Sequence, residues 1–281
     1  MIRLERQEYQ KVRPLAGQPH LSLALDAVAE GNSPAMVWVD DRVQPSAAYL
    51  WDKAHCHFLV GDASTPAFTQ AVRELVRQEI APQMLAQGKA FLKVHYSSAD
   101  WEEQIGAMYE TAELVRRERL FYALDHLAKP DWRTGVPSGF SVRQIDAGLL
   151  ATDRLQGIEI LRNEIETGWY SAEDFLHTGF GFCLLRKNEI VTWCTAEYVS
   201  DGRCGIGIET AVEHMRRGFA SVTASAFVEH AAAQGITPHW DSWKANLPSV
   251  AVAKKVGFRR ISEYAVFTGK FQAPRVATVL R

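Results

Sequence analysis

The stretch Trp240-Asp241-Ser242-Trp243-Lys244-Ala245-Asn246-Leu247-Pro248-Ser249, which runs on to Lys254-Lys255-Val256-Gly257-Phe258, decides the fold. Its first part, with Thr237 to His239 before it, has the pattern of a strand. Pro248 suits the first turn of a helix that continues to Val256, and Gly257 suits its end. Asn246 therefore falls at a junction between a strand and a helix.

A glycine turn lies upstream, at Arg216-Arg217-Gly218-Phe219-Ala220-Ser221, and a helix rich in Ala, Val and Phe follows from Ser221 to Gln234. A helix N-terminus presents unpaired N–H groups and a partial positive charge, so a tight turn ending at Gly218 could hold a pyrophosphate. Arg216 and Arg217 would add permanent positive charge beside it. The alternative is an ordinary loop that leads into a helix.

The elements before this turn are strands. Residues 180–186 and 190–198 flank Lys187-Asn188-Glu189 and predict a hairpin, and residues 204–212 predict a third strand that leads into the turn. A helical stretch that includes Leu155, Ile158 and Leu161 precedes the hairpin. The predicted order is three strands, a turn, a helix, a strand, a helix and a final strand.

These segments together resemble the acyl-CoA-binding half of the GNAT N-acetyltransferases, in which a Q/R-x-x-G-x-G/A turn opens a helix and a later Asn precedes a helix ending in Gly-Phe. The resemblance implies acetyl-CoA as a co-substrate. It implies cofactor contacts from the end of the third strand, the turn and the second junction, namely Thr210, Ala211, Val212, Arg216, Arg217, Gly218, Phe219, Ala220, Ser221, Asn246 and Ser249.

Two positions depart from the family pattern. The first position of the glycine motif is Met215, and Ala253 stands where many GNAT enzymes carry a Tyr that protonates the departing thiolate. Residues 166–175, 179–182 and 240–258 also resemble the branch that contains the zwittermicin A resistance acetyltransferases, and residues 37–41 are similar to its early segment. That likeness implies modification of an antibiotic or a metabolite.

Two domains are expected in 281 residues, an N-terminal α+β domain at 1–132 and a GNAT acetyltransferase domain at 133–281. Periodicity lapses around residues 129–139, which makes that segment the linker candidate. The fold class is α+β, with a mixed and mostly antiparallel central sheet flanked by helices in the GNAT domain. The N-terminal half has a strand and helix order that raises the hypothesis of a degenerate GNAT-like copy.

Composition argues against two classes of partner, nucleic acids and membranes. A formal net charge of -2 argues against sequence-independent nucleic-acid binding, and no apolar run is long enough for a membrane span. We expect a cytoplasmic protein, a monomer or a homodimer, with its four cysteines reduced and structural.

Acetyl transfer to an amine requires a base, because aliphatic amines are protonated at pH 7. Glu209, on the strand that leads into the glycine turn, and Glu197, on its neighbour, are the candidates, although each could be an ordinary ion-pair partner. Tyr264 or Tyr198 could protonate the thiolate.

Aromatic walls with carboxylates suit a cationic acceptor such as a polyamine or an amino sugar. Candidates for acceptor binding are Glu164, Glu166, Trp169, Tyr170 and Trp240. Core packing is the alternative for Trp169.

No metal site is predicted: His55 and His57 share a strand face, but no third ligand is apparent nearby. Gly205-Ile206-Gly207 is similar to a dinucleotide fingerprint, yet Thr210 occupies the third glycine position, and that interpretation is rejected.

The sequence thus predicts an acetyl-CoA-dependent N-acetyltransferase that acts on a small-molecule amine. Two alternatives remain open, a protein or peptide N-acetyltransferase and a CoA-binding sensor without chemistry.

Overall fold

The computed structural model describes residues 1–125 and 131–272, which form two compact units. The N-terminal unit comprises Met1–Ser22, Ala35–Arg117 and the described residues from Ala265, and the C-terminal unit comprises Leu23–Pro34 and the described residues of Glu118–Tyr264. Lys129 and Pro130 of the predicted linker lie outside the described residues. The division predicted between residues 132 and 133 stays a prediction about domains; by their contacts, residues 118–125 group with the C-terminal unit.

Strands in the first half of the chain are β1 (Ile2–Arg3), β2 (Met36–Val39), β3 (Ala47–Trp51), β4 (Cys56–Gly61), β5 (Phe91–Tyr96) and β6 (Ala112–Leu124). Its helices are a 3-10 helix (Arg6–Leu15), α1 (Pro19–Ala29), α2 (Pro66–Leu75), a π-helical segment (Val76–Ile80), α3 (Ala81–Ala86), a 3-10 turn (Ala99–Trp101) and α4 (Glu102–Met108).

Strands in the second half are β7 (Phe140–Gln144), β8 (Gly181–Arg186), β9 (Glu189–Ser200), β10 (Arg203–Thr210), β11 (Thr237–Trp243) and β12 (Phe258–Phe271). Its helices are a 3-10 turn (Trp132–Gly135), α5 (Ala147–Leu150), α6 (Ile158–Gly168), α7 (Ala172–Thr178), a 3-10 turn (Val212–His214), α8 (Phe219–Ala233) and α9 (Leu247–Val256).

The two units have the same strand order. The N-terminal unit runs β1-β2-β3-β4-β5-β12 and the C-terminal unit runs β7-β8-β9-β10-β11-β6. In each, the fourth and fifth strands are parallel with a helical crossover between them, and the other recorded pairings are antiparallel. The sixth strand of each unit comes from the other half of the chain. The predicted α+β class, the mostly antiparallel sheet and the GNAT-like N-terminal copy are confirmed.

The core of the C-terminal unit lies between its sheet and the helices α6, α7, α8 and α9. Phe227 of α8 is fully buried and stacks on Phe180, with ring centroids 4.5 Å apart. Small residues on α8 allow this close approach to the sheet, since Ala224 and Ala231 are also 0% exposed. All four cysteines are buried free thiols, as predicted.

Several predicted boundaries were wrong, among them those of α6 and of the predicted third strand, β10. Leu155 precedes α6, because Gly157 takes a left-handed conformation (φ 86°) at the N-cap and starts the helix at Ile158. The third strand ends at Thr210 rather than at Val212, where a 3-10 turn begins. None of the helices in the described ranges combines the length and the apolar character that crossing a membrane requires.

Candidate active site

The parallel strands β10 and β11 pair over only part of their length. Their register runs from Arg203 opposite Thr237 to Gly205 opposite His239, whereas β10 continues to Thr210 and β11 to Trp243. Over the same residues β10 stays paired with β9, up to Thr210 opposite Thr192. One edge of β10 therefore offers unpaired backbone groups toward a gap, and such groups require a hydrogen-bond partner such as water or a ligand.

The gap leads to a turn that we call the phosphate turn, residues 212–218, which joins β10 to α8. Within the described residues, the backbone N–H groups of Arg216, Arg217 and Gly218 donate to no backbone carbonyl, and the same holds for Phe219 and Ala220, the first two residues of α8. Five consecutive N–H groups of this kind at a helix N-terminus are the arrangement that can bind an anion, and we call them the cradle.

Two residues of the phosphate turn have positive φ. Arg216 takes φ 63°, which is unusual for a residue with a side chain, and Gly218 takes φ 82° as the N-cap of α8. An added Cβ at Gly218 would meet no heavy atom within 4 Å, so the glycine is required by its backbone angle and leaves room above the turn. Arg216 and Arg217 are both exposed and able to contact phosphate oxygens.

Some of the predicted cofactor-binding residues have backbone or side-chain groups that already make contacts within the protein. The Ala211 N–H donates to the Val191 carbonyl at 2.9 Å and the Ser221 N–H to Gly218 at 3.1 Å, so these two amides already have partners. Phe219 is 6% exposed and packs on Phe140, which leaves only its backbone N–H available. Val212 is 78% exposed, and Thr210 is bonded to Thr192 through its hydroxyl.

Asn246 is the N-cap of α9, and its side-chain oxygen accepts the Ser249 N–H at 3.2 Å. The Ser249 hydroxyl accepts the indole N–H of Trp240 at 3.0 Å. Asn246 is exposed, so its amide NH₂ stays available to a ligand. Trp240 is 2% exposed and packs on Phe258. The structure thus gives Trp240 a core position that orients Ser249, and not the wall of an acceptor site.

Glu197 lies over a glycine floor on β10. Gly205 pairs with Glu197, and a Cβ added at Gly207 would collide with the Glu197 carboxylate and come within 3.0 Å of the Thr195 hydroxyl. From Ser200 to Glu197 there are three steps on β9, against two steps on β10 from Arg203 to Gly205, so β9 contains a bulge. Tyr198 in this bulge takes φ 48°. Bulges re-aim side chains and are frequent beside active sites.

The sequence reasoning missed this floor. From the sequence, Gly205 and Gly207 were compared only with a dinucleotide-binding motif. A glycine within a strand also indicates that another group approaches the backbone closely, and that signal predicts the floor.

Glu209 lies on the same face of the sheet as Glu197, by the two-residue period of the strands, but it is exposed, whereas Glu197 is half-buried.

Tyr264 belongs to a cluster with Arg119 and Asp241. The Arg119 Nε donates to Asp241 at 2.8 Å and to the Tyr264 hydroxyl at 3.2 Å, and that hydroxyl donates to the other Asp241 oxygen. Burial raises the pKa of Tyr264 well above its usual value, and the Asp241 carboxylate raises it further. A phenol with a raised pKa is a poor acid. The hydrogen bond to Asp241 therefore favours a structural role for Tyr264, which orients the Asp241 carboxylate.

The acceptor candidates on α6 and after it separate into two groups. Trp169 is 4% exposed, donates its indole N–H to the Ala196 carbonyl at 3.2 Å and packs edge-on against Phe175, which is the core-packing alternative. Glu166 is exposed, Glu164 is half-buried and Tyr170 is 38% exposed. These three remain able to contact an acceptor.

Two groups of potential metal ligands occur in the described residues, Asp52 with His55 and Cys56, and Glu189 with Glu213 and His214. The pair considered from the sequence is not brought together as ligands, because His57 is fully buried and its Nδ1 is 2.7 Å from the Tyr49 hydroxyl.

The corresponding turn of the N-terminal unit lacks the cradle. Its parallel strands stay paired up to Leu59 opposite Tyr96, and the Gly61 N–H then donates to the Ser97 hydroxyl at 3.1 Å. Asp62 follows, and its carboxylate accepts the Ser64 N–H at 2.8 Å. A carboxylate at this position would repel a phosphate.

The comparisons with known proteins agree with this architecture. A family model described as GNAT acetyltransferase matches residues 13–267, so the chain belongs to the GNAT acetyltransferase family. It is 23% identical over 266 residues to the uncharacterized N-acetyltransferase YdfB of Bacillus subtilis, covering 94% of this chain and 97% of that protein.

Among solved structures, a GCN5-related N-acetyltransferase-like protein from Streptococcus suis aligns with a TM-score of 0.67 at 20% identity, over 93% of this chain and 98% of that one. A tandem GNAT protein from the clavulanic acid biosynthesis pathway aligns with a TM-score of 0.59 at 12% identity, over 97% and 98%. At these identities the structures show the fold, and the tandem protein fits the two units described above. The chain is an acetyltransferase of this family.

Proposed function

We propose that this chain is an N-acetyltransferase that moves an acetyl group from acetyl-CoA directly to a primary amine of a small molecule. The observation that carries the proposal is the stretch of β10 that is not paired with β11, because it begins beside the Glu197 carboxylate at Gly207 and is followed along the chain by the five N–H groups of the phosphate turn and α8 that make no hydrogen bond within the described residues. A pyrophosphate fits the N–H groups and the two exposed arginines, and the unpaired edge of β10 suits the amides of a pantetheine arm.

Glu197 is the proposed general base. It accepts a proton from the acceptor ammonium, the neutral nitrogen forms a bond to the acetyl carbon, and the bond from that carbon to sulfur breaks. The nitrogen, which is cationic after the attack, then gives its second proton to the departing thiolate, and the products are a neutral amide and the CoA thiol. Acetyl-CoA supplies the acetyl group, and its thiol, with a reference pKa of about 8.5, leaves readily as the thiolate. Glu197 is favoured over Glu209 because it is half-buried and held against the glycine floor, whereas Glu209 is exposed.

The proposed acceptor is a small cationic amine. Support comes from two carboxylates and an aromatic ring on and after α6, the exposed Glu166, the half-buried Glu164 and Tyr170, which is 38% exposed. The sequence resemblance to the zwittermicin A resistance branch also favours an antibiotic or a metabolite. The cytoplasmic location and the monomeric or homodimeric state remain predictions.

Calorimetric titration with acetyl-CoA, combined with a thiol-release assay over a panel of amines, tests the proposal. Binding with amine-dependent thiol release supports it. Release that occurs only with peptide amines would replace the small acceptor by a protein, and binding without release by any amine would favour a CoA sensor. Absence of acetyl-CoA binding would refute the proposal.

A further inference from the structure

Among the described residues, a single side-chain hydrogen bond joins the phosphate turn to the sheet. Within the described ranges, Val212, Glu213, Met215, Arg216 and Arg217 make no recorded side-chain hydrogen bond or ion pair. His214 does: its Nε2 is 2.9 Å from the Glu189 carboxylate, on the first residue of β9. The turn is otherwise closed by its own backbone bonds, from His214 to Ala211 and from Met215 to Val212.

The His214 side chain is buried, and Glu189 is its hydrogen-bond partner. The residue is 4% exposed, and its Nδ1 is buried without a hydrogen-bond partner. Because a carboxylate only accepts hydrogen bonds, Nε2 is the donor in this contact. A buried imidazole with one satisfied nitrogen loses its only polar contact when Glu189 is removed, and such a loss is costly.

The pair lies next to the part of the turn that must keep an unusual conformation. His214 is followed within four residues by Arg216 at φ 63° and Gly218 at φ 82°, and both residues contribute N–H groups to the cradle. Phe219, 6.2 Å from the His214 ring and 6% exposed, fixes the other end of the turn. Strained backbone persists only where its surroundings hold it.

We propose that Glu189 and His214 are positioning residues that hold the phosphate turn in its anion-binding conformation. The inference rests on the proposed function. Electrostatics alone and the proposed positioning role predict opposite changes in the affinity for acetyl-CoA. A carboxylate near an anion site repels the anion, so electrostatics alone predicts tighter binding when Glu189 is removed. If the pair holds the turn in its binding conformation, removal of either residue weakens binding.

Four variants test this: Glu189→Ala, His214→Ala, the double variant, and Glu189→Gln, which keeps an acceptor oxygen. Thr192→Val is the matched control, since it removes a side-chain hydrogen bond of β9 to the last residue of β10, the 3.1 Å contact to Thr210, and changes no residue of the turn. The donors are acetyl-CoA and S-acetylpantetheine, which lacks the nucleotide and its phosphates. Calorimetry gives Kd, steady-state assays give KM and kcat, and thermal unfolding reports the fold.

Each alanine variant should raise Kd and KM for acetyl-CoA about tenfold, with kcat and the KM for S-acetylpantetheine unchanged. The double variant should be no worse than either single variant, because both remove one interaction. Glu189→Gln and Thr192→Val should stay within about twofold of wild type. Tighter binding by Glu189→Ala and Glu189→Gln, or an equal loss with both donors, would overturn the inference. Wild-type protein that does not bind acetyl-CoA would instead refute the proposed function and the inference with it.

Discussion

Gly207→Ala tests the role of Glu197 as the general base, because it should displace the Glu197 carboxylate without changing Glu197 itself. The added methyl group would collide with a carboxylate oxygen of Glu197. Gly207 has no positive φ, so alanine is compatible with the backbone. The atom in conflict is the end of a flexible side chain, which will move before the strand does. We therefore expect a loss of stability near the lower end of the roughly 1–3 kcal/mol typical of overpacking.

The effect on turnover should be much larger. Displacement of a catalytic group by about 1 Å costs on the order of 100-fold, so kcat should fall by about that factor with the Kd for acetyl-CoA little changed. Gly205→Ala is the matched control, because its Cβ would meet the Glu197 backbone and Cβ at 3.3 and 3.5 Å and not the carboxylate. Its kcat should fall less than tenfold.

A double variant separates a local effect from a general one. If Gly207→Ala acts through Glu197, adding it to Glu197→Gln should cause no further loss, because the base is already absent. The assay is thiol release at saturating acetyl-CoA, with thermal unfolding as the check on the fold. Equal fold-losses in the two backgrounds, or unchanged kcat in Gly207→Ala, would refute the assignment of Glu197.

Arg216→Ala and Arg217→Ala should each raise the Kd for acetyl-CoA, by about 3- to 30-fold, and should flatten its dependence on salt in calorimetry at two ionic strengths. Calorimetry should also give one acetyl-CoA per chain, since Asp62 occupies the equivalent turn of the N-terminal unit; two sites would contradict this. Burial raises the pKa of Asp52 to about 8. The folded protein therefore retains a proton that the unfolded chain loses near pH 4, so the free energy of unfolding should fall from about pH 4 to pH 8. Asp52→Asn should reduce that slope in denaturant titrations, and an unchanged slope would exclude Asp52 as its source.

Local patterns were sufficient for most elements of the C-terminal unit. The hairpin of β8 and β9, the turn into α8 and the junction at Asn246 each carry their own signal, in strand alternation, glycine and proline. β6 had no local strand signal, because the four charged residues from Arg116 to Arg119 interrupt the alternation of apolar and polar residues. It is a strand because Arg119 to Ala123 pair with β11, more than 100 positions later.

The sequence by itself determined the family resemblance, the phosphate turn and the pair of candidate bases, because these depend on residue types at short spacing. Only the tertiary structure gave Glu197 and Glu209 different environments, placed Trp240 and Trp169 in the core, and brought His214 next to Glu189 and Tyr264 next to Asp241. Those outcomes depend on which strands are neighbours and where their pairing ends. Strand pairing is a non-local interaction, and a linear pattern of residues does not record it.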